Sequence, residues 1–96
     1  MVEDRVYVVI AYDIADDKRR SRLFKLLSSF GARYQYSVFE CYLTPSKLLR
    51  LEHEARRILN SRTDKLCIIT LCQRCLERRV FVGHHSDEVL EDVLIV

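Results

Sequence analysis

The sequence predicts an α/β sandwich in which one open sheet carries two helices on the same face. Two apolar runs rich in Val and Ile, residues 6–14 and 65–72, are typical of buried strands. Leucines at helical spacing follow the first run and recur after Pro45. The order strand, helix, extended segment, helix and strand therefore suits a split βαβ arrangement.

The first strand and helix are defined by a sharp change of pattern. Residues 6–14 are nearly all apolar and too few for an ordinary helix, so they predict a strand. Asp16 and Asp17 suit an N-cap or a first turn, and Gly31 suits a helix end. We therefore expect an amphipathic helix over residues 16–30. Its apolar stripe consists of Leu23, Leu26, Leu27 and Phe30.

The remaining elements follow from residue 33 onward. Residues 33–43 are aromatic and β-rich, which predicts extended chain but leaves open whether it is one strand or two. Thr44 and Pro45 supply the cap and the first residue of a second helix, which continues until residues 60 and 61. Further apolar runs follow at residues 65–72, 79–82 and 93–96.

The open face of the predicted sheet needs a cover. The strands at residues 6–14 and 65–72 lack a polar side, so both of their faces are expected to be buried. In a chain of only 96 residues, the simplest element that could cover this apolar face is a second copy of the chain. We therefore expect a homodimer.

Length and composition indicate a single domain spanning residues 1–96. Apolar residues make up 49% of the chain, while two glycines and one proline leave little room for a linker. No apolar stretch approaches the ~20 residues of a membrane span, and the first residues lack a signal-peptide pattern. We expect a cytoplasmic protein without membrane contact, whose four cysteines are reduced.

The charges are unevenly distributed, although the net charge is only +2. Residues 18–33 contain six basic side chains and no acid, whereas the last thirteen residues contain four acids and no Lys or Arg. Because local basic surfaces attract phosphate backbones, the basic segment predicts nucleic-acid binding. The alternative interpretation is an ordinary solvated helix face.

Asp13 stands at the end of the first strand, beside the predicted start of the following helix. It is expected to lie near the charged side chains of the first helical turns, which are Asp16, Asp17, Arg19, Arg20 and Arg22. A bound phosphate would offset the unfavourable effect of cations at a helix start. In the alternative, these acids and arginines pair only with one another.

A metal site is the main chemical hypothesis for Asp13. A single aspartate is a poor site for Mg²⁺, which takes one or two carboxylates together with waters and substrate phosphate. If two Asp13 side chains faced each other across a dimer axis, they could hold one ion between them. That ion could orient a water molecule and stabilise the charge of a phosphodiester transition state. Zinc or redox chemistry at Cys72 and Cys75, near His84 and His85, is a weaker hypothesis because the usual ligand spacing and helix context are missing.

The extended segment also contains aromatic and acidic candidates. Its aromatic residues could stack on bases, but aromatics in strands more often belong to a core or an interface. They are Tyr34, Tyr36, Phe39 and Tyr42, and we expect core positions for Tyr36 and Tyr42. Glu40 ranks low as an acid or base, because an acid in a strand is usually solvent-exposed or salt-bridged.

Several motifs together resemble the small CRISPR-associated protein Two family. They are Tyr-Asp-Ile-Ala-Asp-Asp at 12–17, Arg-Arg-x-Arg-Leu at 19–23, Gly-x-Arg-x-Gln-x-Ser-Val-Phe-Glu at 31–40 and Arg-Val-x-x-Gly at 79–83. The resemblance implies a ferredoxin-like βαββαβ sandwich, with the extended segment broken near Tyr36 and Ser37 into two strands. It also implies a homodimer with an extra C-terminal strand, in which residues 79–96 contact the partner protomer.

The resemblance further implies roles for individual residues. Asp13 would be the metal ligand and a catalytic residue, with Mg²⁺, or another divalent ion such as Mn²⁺, as the cofactor. The other catalytic positions would be Arg20, Arg22, Arg33 and Phe39. Nucleic acid would be bound by Lys18, Arg19, Arg20, Arg22, Arg33 and Ser37.

The implied function is spacer acquisition together with the CRISPR integrase subunit, with metal-dependent cleavage of single-stranded RNA or duplex DNA. In one alternative, the chain is a non-catalytic DNA-binding scaffold whose arginines hold the backbone and whose acidic tail docks the integrase. A toxin-type ribonuclease of the same small fold is a further alternative. The residues leave the natural substrate open, since phosphate contacts carry no sequence information.

Overall fold

A computed structural model of the chain describes residues 4–83. Its elements are β1 (Val6–Asp13), α1 (Asp17–Ser28), β2 (Gly31–Gln35), β3 (Val38–Leu43), α2 (Pro45–Ile58), β4 (Lys65–Leu71) and α3 (Gln73–Glu77). The strands form one sheet in the order β2-β3-β1-β4, and every neighbouring pair is antiparallel. The predicted βαββαβ sandwich is thereby confirmed.

The main core lies between the sheet and the two long helices. Alternate side chains of β1 and β3 point towards α1 and α2, as the two-residue period of strands requires. The buried members from these four elements are Val8, Ile10, Tyr12, Leu23, Leu27, Phe39, Cys41, Leu43, Leu51 and Ala55. The helical spacing of the leucines thus places both helices on one face of the sheet.

The two long helices begin at the predicted capping residues. The Asp16 carboxylate accepts the Arg19 backbone N–H at 2.9 Å, and Thr44 caps α2 ahead of Pro45. The end of α1 differs from the prediction, because Gly31 is the first residue of β2 and not a helix stop. A Cβ at Gly31 would lie 2.2 Å from the Glu40 carbonyl oxygen, so glycine permits the close approach of β2 to β3.

Tyr36 and Ser37 form a two-residue turn that divides the extended segment into β2 and β3. The resemblance implied this break, whereas the local pattern gave no sign of it. Tyr36 has a φ of +33°, in a region where turn positions usually hold Asn or Gly. The expected core position for Tyr36 is wrong, because the turn leaves its side chain 87% exposed.

The second face of the sheet is only partly covered within residues 4–83. The short helix α3 packs Leu76 against Tyr7, at the end of the sheet where β4 finishes. The sequence did not predict α3, because five residues are too few to show a helical period. Next along this face, opposite Val9, Ile69 is 48% exposed.

Residues 79–82, which the sequence predicts to be extended, form no strand within the described protomer. The Arg79 side chain turns inward onto Tyr7, while Val80 and Val82 are exposed and face no neighbouring strand among residues 4–83. The predicted apolar run at 93–96, the acidic tail, His84 and His85 lie outside the described residues. The extra C-terminal strand therefore stays a prediction.

Two further sequence predictions concern membranes and metals. No helix within residues 4–83 is long and apolar enough to cross a bilayer. All four cysteines are free, with Cys41 buried and Cys67, Cys72 and Cys75 exposed. The part of the chain that the structure describes holds no group of three or more His, Cys, Asp or Glu residues that could bind a metal ion.

Candidate functional site

Asp13 is the last residue of β1 and lies exposed on the second face of the sheet. Strand alternation directs Val9, Ala11 and Asp13 to this face, because Tyr12 belongs to the helix-side core. Asp13 pairs in register with Lys65 of β4, and the two residues line a shallow cavity of about 280 Å³. Within residues 4–83 no hydrogen bond or ion pair engages the Asp13 carboxylate. This carboxylate is therefore available to a ligand.

A larger cavity of about 480 Å³ lies on the helix side of the same sheet end, between α1 and the β2–β3 turn. We call it the arginine cavity. Its lining residues include Tyr12, Arg20, Phe24, Arg33, Tyr36 and Ser37. Lys25 adds a third positive charge, and no carboxylate lines the cavity. A cavity with this charge suits phosphate oxygens.

Asp13 and the arginine cavity lie on opposite faces of the sheet. Tyr12 belongs to the helix-side core and borders both cavities, whereas strand alternation directs the Asp13 side chain the other way. The expected approach of Arg19 and Arg20 to the Asp13 carboxylate is not seen in the described protomer. The prediction placed these residues correctly at one end of the sheet but did not separate its faces.

Arg20 is held by two backbone carbonyls and one acid. Its Nη1 donates to the Ile14 carbonyl at 3.0 Å and to the Ala15 carbonyl at 3.4 Å, while its Nη2 pairs with Asp17. The Asp17 side chain is 87% exposed, and such surface pairs contribute little to stability. The alternative in which first-turn acids and arginines pair with one another is thus observed here. A phosphate could replace Asp17 while the carbonyls keep the guanidinium in place.

Tyr12 and Arg33 complete the polar part of the arginine cavity. Burial raises the pKa of the Tyr12 hydroxyl, and the nearby positive charges of Arg33 and Arg20 oppose that rise. The Arg33 guanidinium also lies over the Phe24 ring, 5.4 Å from its centroid. Both arginines are therefore close to one phenol group. The sequence pattern did not mark Tyr12 as a site residue, because its position fitted a buried strand.

Phe39 does not line the arginine cavity but packs in the core behind two residues that do. Its side chain is only 1% exposed. The ring stacks with Tyr12 at a centroid distance of 6.3 Å and meets Phe24 edge-on at 5.6 Å. A role of Phe39 in activity would therefore act through the positions of Tyr12 and Phe24.

Arg19 is held by a buried acid that the sequence analysis did not single out. Its Nε donates to Asp64 Oδ2 at 2.8 Å, and its Nη2 lies 3.2 Å from Asp64 Oδ1. The Asp64 side chain is 0% exposed and also accepts the Asn60 backbone N–H at 2.9 Å. Arg19 thus ties the start of α1 to the loop before β4. Its predicted contact with nucleic acid stays a prediction.

We expect Asp64→Asn to weaken the fold near neutral pH, because Arg19 loses its closer and buried charged partner. Hydrogen bonds from Arg19 hold the pKa of Asp64 below its usual range. A lowered folded-state pKa contributes stability above the unfolded-state pKa, and this stability is lost as the pH falls through the folded value. The urea midpoints of the two proteins should therefore converge below about pH 4. Glu54→Gln, which breaks the Arg50–Glu54 surface pair, serves as the control; a constant difference from pH 7 to pH 3 would contradict the assignment.

Lys18, Arg22 and Ser37 are the other predicted contacts with nucleic acid. Lys18 and Arg22 are exposed on α1, and no side chain among residues 4–83 pairs with either. Ser37 is half-buried in the β2–β3 turn, where its carbonyl accepts the Tyr12 backbone N–H at 3.1 Å. The structure brings Ser37 to the arginine cavity and leaves Lys18 and Arg22 on the surrounding surface.

Glu40 belongs to a separate buried cluster beneath α3. Only 7% of Glu40 is exposed, and its Oε1 lies 3.5 Å from Arg79 Nη1. Arg79 also donates to the Tyr7 hydroxyl and lies over the Tyr7 ring, 4.5 Å from its centroid. Burial raises the pKa of Tyr7, and its hydrogen bond to Glu40 adds to the rise. Glu40 is thus salt-bridged, one of the two situations expected for an acid in a strand.

Known proteins are similar to this chain in both sequence and fold. The family described as CRISPR associated protein Cas2 matches residues 6–79. This chain belongs to the Cas2 family. A protein named CRISPR-associated endoribonuclease Cas2 from Thermus thermophilus is 42% identical over 87 residues, covering 91% of this chain and 93% of the relative. A Cas2 endoribonuclease from Rhodospirillum rubrum is 36% identical, covering 92% and 71%.

Solved structures of other proteins agree with this architecture. Streptococcus pyogenes Cas2 superposes with a TM-score of 0.71 at 29% identity, covering 80% of this chain and 99% of that one. A hypothetical protein, TT1823 from Thermus thermophilus, gives 0.77 at 39% identity, covering 85% and 95%. A chain from a partial Cas6-RT-Cas1–Cas2 complex gives 0.68 at 25% identity, covering 80% and 90%. The resemblance seen in the sequence motifs is thereby confirmed.

Proposed function

We propose that this chain acts in CRISPR spacer acquisition, and that its homodimer hydrolyses phosphodiester bonds of single-stranded RNA or duplex DNA with Mg²⁺ bound between two Asp13 carboxylates. Membership of the Cas2 family supports the pathway, and the curated relatives are named endoribonucleases. A structural relative comes from a complex that contains Cas1. The proposed partner is accordingly a Cas1-type integrase subunit.

The observation that carries the nuclease proposal is the position of Asp13 on an open face. Val9, Ala11 and Ile69 share this face, and α3 covers only its Tyr7 end. A second copy that covers the open end would bring Asp13 into the interface, and a two-fold axis there would pair it with its own equivalent. The predicted homodimer therefore also completes the site.

The donor set fits Mg²⁺ only when two protomers contribute. Residues 4–83 of one protomer offer no cluster of three or more suitable ligands. Two Asp13 carboxylates with waters and a substrate phosphate match the oxygen ligands that Mg²⁺ takes, and Mn²⁺ accepts similar donors. When bound, the ion would orient the attacking water and stabilise negative charge that develops on the phosphate.

The arginine cavity would position the substrate. Arg20 and Arg33 are suited to bidentate contacts with phosphate oxygens, and Arg20 is already oriented by the Ile14 and Ala15 carbonyls. A nucleic-acid strand leaving this cavity would pass the end of β1, where Asp13 follows Tyr12, to reach the opposite face. The arginines thus bind the backbone, while Asp13 serves the scissile phosphate.

Cleavage of labelled single-stranded RNA and duplex DNA by the purified protein tests the nuclease proposal. Cutting of one or both substrates with Mg²⁺, and none with chelator, is expected. Cutting that persists in chelator would overturn the metal site. Absence of cutting under every condition would favour a non-catalytic, DNA-binding scaffold function.

A non-catalytic DNA-binding scaffold is favoured by a different observation, the separation of the arginine cavity from Asp13. Nucleic acid can bind the cavity without engaging the carboxylate, because the two lie on opposite faces. In that case Arg20 and Arg33 carry the function and Asp13 is dispensable.

Both functions predict that Arg20 and Arg33 bind phosphates. The double variant Arg20→Gln with Arg33→Gln should weaken duplex binding and reduce the slope of log affinity against log salt by about 1.8, at about 0.9 per phosphate. Titrations at several salt concentrations, in chelator, measure the slope. Arg56→Gln with Arg57→Gln removes the same charge from the last turn of α2 and should leave the slope near wild type. Equal changes in both double variants would contradict the cavity as the phosphate site.

A further inference from the structure

The β2–β3 turn presents a tyrosine to solvent at the rim of the arginine cavity. Tyr36 lines the cavity and is nevertheless 87% exposed. Its ring is therefore accessible at the cavity rim and offers an apolar face on which a base can stack. The backbone holds it there at a φ of +33°, in a turn position that favours Asn or Gly. An exposed aromatic in a strained turn beside a charged cavity is a feature that points to ligand binding.

The chemistry around Tyr36 matches the parts of a nucleotide. Arg20 and Arg33 supply positive charge for a phosphate, which would replace the exposed Asp17 carboxylate now paired with Arg20. Phe24 and Tyr12 supply an aromatic wall, with Arg33 already lying over the Phe24 ring. The volume of about 480 Å³ falls within the range of small-molecule sites.

We propose that the arginine cavity binds an unpaired nucleotide, with its base stacked on Tyr36 and its phosphate held by Arg20 and Arg33. The inference rests on the proposed phosphate-binding function and adds a preference for single-stranded nucleic acid. A base stacks on an aromatic side chain only when it is not already stacked in a duplex. Tyr36 thus discriminates between single strands and duplexes, which phosphate contacts alone do not do.

Replacement of Tyr36 separates stacking from backbone conformation. Tyr36→Ala removes the ring but keeps a Cβ, so the constraint at positive φ remains, and Tyr36→Phe keeps the ring. Affinities for a labelled single-stranded RNA and a labelled DNA duplex are measured by fluorescence anisotropy in chelator, which prevents metal-dependent cleavage. Leu49→Ala removes another exposed large apolar side chain, 67% exposed on α2, and is the control.

Tyr36→Ala should raise the Kd for single-stranded RNA about 5- to 150-fold, the range measured for loss of one base stack. Tyr36→Phe should stay within about twofold of wild type, and the duplex affinity of all three variants should change less than about twofold. Equal losses on both nucleic acids, or no loss on RNA, would overturn the proposal. Loss of self-association in Tyr36→Ala, measured by gel filtration with light scattering, would also overturn it by assigning the ring to an interface between copies.

These binding measurements distinguish failure of the Tyr36 stacking proposal from failure of the proposed nucleic-acid function. Wild-type protein that binds neither nucleic acid would overturn both proposals. Binding by wild type that Tyr36→Ala does not alter would overturn the stacking role alone. Selective loss of RNA binding would support it even when Asp13 proves unnecessary for cleavage.

Discussion

Asp13→Asn should reduce Mg²⁺-dependent cleavage by at least about a hundredfold, the scale of losing one group that stabilises charge in a transition state. The substitution keeps the shape of the side chain but removes the charge that Mg²⁺ requires. Because Asp13 lies on the opposite face from the arginine cavity, nucleic-acid affinity in chelator should stay near wild type. Single-turnover cleavage rates and binding titrations measure the two effects separately.

Asp4→Asn is the matched control for this prediction. Asp4 is an exposed acid that precedes the other end of β1, so its loss changes the net charge equally. Cleavage by Asp4→Asn should match wild type. An Asp13→Asn protein that retains its cleavage rate would contradict the metal site, and one that loses cleavage and binding together would place Asp13 in the nucleic-acid contact.

Arg79→Met should destabilise the protein by about 3 kcal/mol, because it leaves the Glu40 charge buried without a partner. The side chains of Arg79 and Glu40 are 15% and 9% exposed, and Arg79 also contacts Tyr7. Removing one member of a buried ion pair costs more than the pair itself contributes. For a domain of this size the Tm should fall by roughly 12–24 °C at constant protein concentration.

Two further variants show whether the buried charge is the cause. Arg78→Met removes the neighbouring arginine, which is exposed, and should lower the Tm only slightly. Adding Glu40→Gln to Arg79→Met removes the stranded charge and should restore more than half of the lost stability. Thermal unfolding of all three variants measures this. Arg79→Met that is no less stable than Arg78→Met would show that Arg79 does not stabilise the buried Glu40.

The parts of the fold that depend on local pattern could be predicted from the sequence. The apolar run of β1, the caps at Asp16 and Thr44 and the leucine spacing of α1 all act over short distances along the chain. Tyr36 illustrates what such patterns miss. A tyrosine at positive φ carries none of the Gly or Asn signal by which turns are recognised, so the local pattern left open whether the segment is one strand or two.

The sequence predicted at which end of the sheet the candidate site lies. It did not predict that Asp13 and the arginine cavity lie on different faces of that end. The alternation of β1 contains the missing signal, because a buried Tyr12 on the helix side requires Asp13 to point away from that side. Asp64 could not be found this way. Its partner Arg19 is forty-five residues distant, and only the packing of α1 beside the loop before β4 brings them together. Long-range pairs of this kind carry no local pattern.

The most direct test of the central claim asks whether one active site needs Asp13 from two protomers. Wild-type and Asp13→Asn protomers are mixed in equal amounts, allowed to exchange, and assayed for Mg²⁺-dependent cleavage against the same total concentration of wild type. A shared site predicts about one quarter of the wild-type rate, because only dimers with two Asp13 residues cut. Activity of about one half would show that each protomer cuts alone, and would contradict the shared metal site.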